Sequence, residues 1–112
     1  MTVERGLYVA VLLCAASTTA DGRAPLYQEN FVLLRAVDES EAREKAFAHG
    51  RRLETSYENE FGDTVSWKLL HVVDVSEVGQ SDLDDGSEVY TRHFRNYDAY
   101  RSFEPLLSGE DL

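Results

Sequence analysis

The segment Asp82-Leu83-Asp84-Asp85-Gly86-Ser87-Glu88 is a run of oxygen ligands of the type a calcium site uses. Hard divalent cations prefer such ligands, but a calcium loop needs glycine sixth and glutamate twelfth, and this spacing is different. We read the segment as a turn. His49, His71 and His93 form no pair of the H-x-x-x-H kind, and no cysteine pair accompanies them. No metal and no cofactor is therefore expected. Nucleophilic catalysis needs a nucleophile, a base and a group that orients the base. Ser56, Ser66 and Ser76 stand in no such context, and there is no G-x-S-x-G, P-loop or G-x-G-x-x-G. A non-enzymatic protein is expected.

What remains is charge and aromatics. The 112 residues carry 11 Lys or Arg and 21 Asp or Glu, a formal net charge of −10. Such a balance argues against nucleic-acid binding, which needs a basic surface against phosphate. The charge is concentrated: Glu54 to Glu88 holds ten acidic residues against Lys68 alone, nine of the ten net negative charges. Either these are solvated loop residues or they form an acidic face that captures a basic protein. In the second case Glu58, Glu60, Asp63, Asp82, Asp84, Asp85 and Glu88 are the candidate contacts. A second constellation mixes aromatics with charge. Glu88, Tyr90, Arg92 and Phe94 alternate, and Tyr8, Tyr27, Glu29 and Arg35 on two earlier strands are expected to share their face. Tyr and Arg are favoured at interfaces, so Tyr8, Tyr90, Arg92 and Phe94 are candidates for a sheet-face pocket. The plainer alternative is that Tyr90 and Phe94 are core.

Elements must position these groups. Leu7 to Ala16 is apolar on both alternating faces, the pattern of a strand covered on both sides. The run has the length of a signal-peptide core, but Glu4-Arg5 adds no net positive side-chain charge and Leu13 before Cys14 does not suit a lipoprotein site. It is too short to span a bilayer. With one cysteine, Cys14, no intrachain disulfide is available. A cytoplasmic protein with no membrane association is expected, with Cys14 as a small buried hydrophobe. Asp21-Gly22 marks a turn, and Leu26 to Val37 is a second strand, Pro25 preceding it.

Asp38 with Glu41 three residues on makes a capping box. Glu39, Glu41 and Glu44 load the start of a helix, and Arg51 and Arg52 its end, as the macrodipole favours. Ala42, Ala46, His49 and Leu53 form a narrow stripe flanked by Phe47, and Gly50 weakens or ends the last turn. Glu54 to Thr64 is polar, with Gly62-Asp63 as a turn. Val65 to Val78 is a long strand, bent or bulged, with Val65, Trp67, Leu69, His71, Val73 and Val75 on one face. Asp85-Gly86 signals a hairpin leading to a fourth strand, Ser87 to Arg95. Tyr97 to Leu107 is a short helix, Pro105 disturbing its end. The expectation is a single compact α+β domain over residues 1–112: a four-stranded mostly antiparallel sheet packed by one main helix, order β-β-α-β-β, plus a short C-terminal helix.

In order and spacing, several blocks resemble the bacterial family known as domain of unknown function 4288. They are Leu7 to Leu13; Val32 to Ala46 with Ala36-Val-Asp-Glu-Ser-Glu-Ala-Arg-Glu-Lys-Ala46; Val65-Ser-Trp-Lys68 through Val75; and Asp85-Gly-Ser-Glu-Val-Tyr90. The resemblance covers roughly Leu7 to Phe94 and implies a fold and a bacterial source, but no catalytic residues. Two functional readings arise. One is an acidic protein-binding module, of the immunity or antitoxin kind, that occludes a basic partner. The other is a small-ligand-binding or homo-oligomeric accessory protein, a homodimer included, that uses the aromatic sheet face.

Overall fold

The computed structural model describes residues 4–20, 22–79 and 82–104. Its elements are β1 (Gly6–Thr18), β2 (Leu26–Ala36), α1 (Glu39–Arg52), β3 (Thr55–Glu58), β4 (Thr64–Glu77) and α2 (Tyr97–Phe103). The strands form one antiparallel sheet in the order β2-β1-β4-β3. The expected element order therefore holds. β1 is central, and every residue from Leu7 to Leu12 is buried, because its two faces meet two different covers. Tyr8, Ala10 and Leu12 face α1, together with Ala36, Ala42, Ala46 and Val75. Leu7 and Val9 face the other way, with Val78 and Tyr90.

The identity of the strands differs from the expectation. The stretch 87–95 forms no strand, and β3 comes instead from the polar segment before Gly62. All four β3 residues are exposed, so no alternation marks them. A tight loop places them beside β4. Asn59 Oδ1 accepts from the Phe61 N–H at 2.9 Å and the Asp63 N–H at 3.0 Å. Gly62 takes a left-handed φ of 81°, open to glycine at little cost. Asp85-Gly86 does turn, with Gly86 at φ 84° and the Ser87 N–H donating to the Asp84 carbonyl at 2.9 Å, but no strand pairing grows from it. At the other expected turn, Gly22 is left-handed while Asp21 lies outside the described residues. The expected tail helix beyond Phe103, with Pro105, Leu106 and Leu107, lies largely outside them as well.

β4 is bulged, as its length suggests, and the bulges overturn the expected faces. Val11 pairs with Asp74 but Leu12 with Val72; Leu13 pairs with His71 but Cys14 with Leu69. Val73 and Leu70 are the extra residues, and both are exposed. Each bulge reverses the parity of the residues beyond it. Leu69, Val72 and Val75 consequently pack toward α1, whereas strict alternation groups Leu69 and Val75 with His71 and Val73.

α1 begins as expected. Asp38 Oδ1 accepts from the Glu41 N–H at 2.8 Å, and Glu41 Oε1 accepts from the Val37 N–H at 3.2 Å. Gly50 does not end it. The helix runs through Gly50, which is buried, and a Cβ there would lie 2.7 Å from Leu69 Cδ2. The missing side chain is what lets helix and sheet approach.

Two stability measurements test this packing. Leu12 is fully buried, so Leu12→Ala is expected to lower unfolding free energy by about 3–4 kcal/mol, with an unchanged urea m-value. Gly50→Ala gains up to about 1 kcal/mol of helix propensity but overpacks Leu69 at a cost of about 1–3 kcal/mol. A net loss is expected, and a raised melting temperature would show that Leu69 moves aside freely.

Candidate functional site

The sheet face opposite α1 holds a large concavity that combines aromatics with charge. After β4 the chain turns back, and residues 87–95 cross this face as an irregular strap. Tyr90 anchors it. Its ring lies 5.8 Å from Phe31 of β2, tilted at 50°, and its hydroxyl donates to Asp74 Oδ2 of β4 at 2.8 Å. Leu7, Val9 and Val78 supply the apolar floor beneath the ring. Burial pushes the Tyr90 phenol above its ordinary range, and the Asp74 hydrogen bond and charge push it further; Arg92 opposes and Glu29 adds to the rise. The phenol is thus held as a donor at neutral pH.

Beyond Tyr90 the strap turns into α2. Asn96 Oδ1 caps that helix by accepting from the Ala99 N–H at 3.0 Å. Phe94 stacks on Tyr100, centroids 5.0 Å apart and planes 12° from parallel. Between strap, α2 and sheet lies a groove of about 630 Å³ with Val11 and Phe31 at its base, Tyr90, Phe94 and Tyr100 on its wall, and Glu29, Arg92 and Glu104 as its charged groups. That volume falls in the usual range of small-molecule sites, and an apolar lining with few polar groups is their usual make-up.

Three of the four expected pocket residues, Tyr90, Arg92 and Phe94, meet here. Tyr8 does not. It sits one position from Leu7 and Val9 on a pleated strand, so it points to the α1 side and joins the core there. Burial, then Glu77, raises its phenol as well. Phe31, Tyr100 and Val11 are groove residues that the sequence pattern does not single out. Phe31 is within reach of it, sharing parity with Glu29 on β2, whereas the spacing of Tyr100 marks only a helix face.

The seven acidic candidates do not make one face. Glu58, Glu60 and Asp63 belong to the β3–β4 loop region at one end of β4; Asp82, Asp84, Asp85 and Glu88 follow its other end. Between them β4 runs for 14 residues, roughly 40 Å at the rise of a strand. Asp84 is also engaged in its own turn, its Oδ1 accepting from the Asp85 N–H at 2.7 Å. Among the described residues no three His, Cys, Asp or Glu side chains gather to hold a metal. Nor is any helix among them long and apolar enough to cross a membrane. Cys14 is buried, and burial, then Glu54, raises its thiol.

Comparison with known proteins places the chain. A model of the family described as domain of unknown function (DUF4288) matches residues 7–91. The chain belongs to that family. No curated protein and no solved structure matches it. The matched range takes in the sheet, α1 and Tyr90, while Arg92, Phe94 and α2 lie past its end.

The Tyr90–Asp74 bond generates a two-part prediction. Tyr90→Phe should cost about 1 kcal/mol and speed proteolysis within residues 87–95. The folded pKa of Tyr90 lies above its unfolded value, so the stability it contributes is complete below about pH 10 and is lost as pH rises through the folded pKa. Urea midpoints measured above pH 10 should therefore fall more steeply for wild type than for Tyr90→Phe.

Proposed function

We propose that this chain is a non-catalytic binding module whose site is the groove between the second sheet face and the strap, and whose ligand is a small molecule with a flat aromatic body and a charged end. The observation that carries this reading is the groove itself: three aromatic rings on one wall, a buried valine beneath, and two acids, Glu29 and Glu104, with one base, Arg92, in the lining. Flat rings gain stacking energy from such walls beyond simple burial, and the charged groups of the lining would orient the polar end. An acidic module that occludes a basic protein is less well supported, because its carboxylates divide between two ends of β4. The lone buried thiol suits a reducing compartment, and we place the module in the bacterial cytoplasm.

Indole-3-acetate and tryptamine, an aromatic anion and cation of similar shape, are the probes for a ¹H–¹⁵N chemical-shift titration. Shifts are expected at Val11, Phe31, Tyr90, Phe94 and Tyr100, with at least one probe saturating. Phe94→Ala should weaken that probe about tenfold. Absence of saturable shifts, or shifts centred on the α1 face, overturns the reading.

A further inference from the structure

We propose that β2 pairs with β2 of a second copy of this chain, in one antiparallel register centred on Val32, so that two sheets join into one.

The β2 edge lacks the usual protection. Long flat edges are normally blunted by lysine, proline or bulges. β2 is 11 residues long, has neither lysine nor proline within it, and pairs with β1 without a register break. Leu26, Tyr27, Phe31 and Leu33 on it are all exposed large hydrophobics. Lys45 reaches it near its end, donating to the Arg35 carbonyl at 2.6 Å. The free part of β4 is treated differently: Glu54 Oε2 accepts from the Leu69 N–H at 3.0 Å, and bulges distort the edge at Leu70 and Val73.

Self-complementarity selects the register. A two-fold axis perpendicular to the sheet keeps both groove faces on one side, so odd-numbered β2 residues must oppose odd-numbered ones. With the axis at Val32, Glu29 meets Arg35 of the second copy and Phe31 meets Leu33, each pair occurring twice. Val32 meets itself on the α1 side. Moving the axis to Phe31 would set the Glu29 carboxylate against Leu33. Opposite charges and apolar pairs directly across a ladder are the stabilising combinations. The second copy would also bring Leu33 and Arg35 beside the Phe31 and Glu29 that line the groove.

Sedimentation velocity of the full chain across a concentration series tests this. A dimer of twice the 12.7 kDa chain mass is expected. Glu29→Arg and Arg35→Glu should each weaken it about tenfold by opposing like charges, and the double variant should restore it. Leu33→Lys, at an exposed position, should give a monomer with unchanged far-UV circular dichroism. A wild type that stays monomeric at high micromolar concentration overturns the proposal. So does a dimer that ignores the single charge reversals, or one that the double reversal fails to rescue. Titrating the indole probes into monomeric Leu33→Lys keeps the two ideas apart, since the groove can bind without a dimer and the dimer can form without a groove ligand.

Discussion

The burial of β1 on both faces is the constraint on which the rest of the molecule depends. Six consecutive residues, Leu7 to Leu12, are withdrawn from water, and a pleated strand sends alternate ones in opposite directions. One helix can cover only one of those directions. α1 takes the Tyr8, Ala10, Leu12 side through small residues that let it lie close. Something else must take the Leu7, Val9, Val11 side, and the chain after β4 supplies it.

That second cover is held by few contacts, which explains why it forms a groove. Tyr90 reaches both β2, through Phe31, and β4, through Asp74, and so spans the sheet. Past Tyr90 the strap lifts into α2, none of whose residues is buried. A cover pinned at one ring and standing off elsewhere leaves apolar surface in a concave space. Val11 at the base is as well buried as the true core, while Phe31 and Phe94 remain exposed. A site of this kind suits a ligand that replaces weak packing with stacking, which is the physical basis of the proposed role.

The bulges of β4 and the placement of charge belong together. Two extra residues bend the strand, so that Asp74 turns toward the strap while Val72 and Val75 reach the helix. The length of the same strand carries its flanking acidic loops to opposite ends. A charge run that is contiguous in sequence becomes two separate clusters in space, and its field is correspondingly divided. Charge steers partners through a local field, and the groove, with Glu29, Arg92 and Glu104 around an apolar base, is the better-defined recognition surface.

Much of the architecture is legible in the chain alone. The capping box at Asp38 and Glu41 acts through neighbouring backbone groups, the double-faced apolar run of β1 through its own pleat, and the Gly62 turn through a φ that glycine tolerates; all are local, and sequence determines them. Tyr90, Arg92 and Phe94 likewise stand out by their alternation. Tyr8 is misplaced by the sequence pattern because adjacency to an aromatic face is not membership of it, and only the pleat's parity against α1 decides. β3 is hidden because four exposed residues carry no pattern, and the stretch 87–95 passes for a strand because alternating polarity describes a strap over an apolar face as well as a strand within one. Which of the two segments pairs with β4, where the bulges fall, and which residues share a groove depend on contacts between positions tens of residues apart. Those are settled by competition for one sheet edge and one apolar face, and that competition exists only in the folded chain.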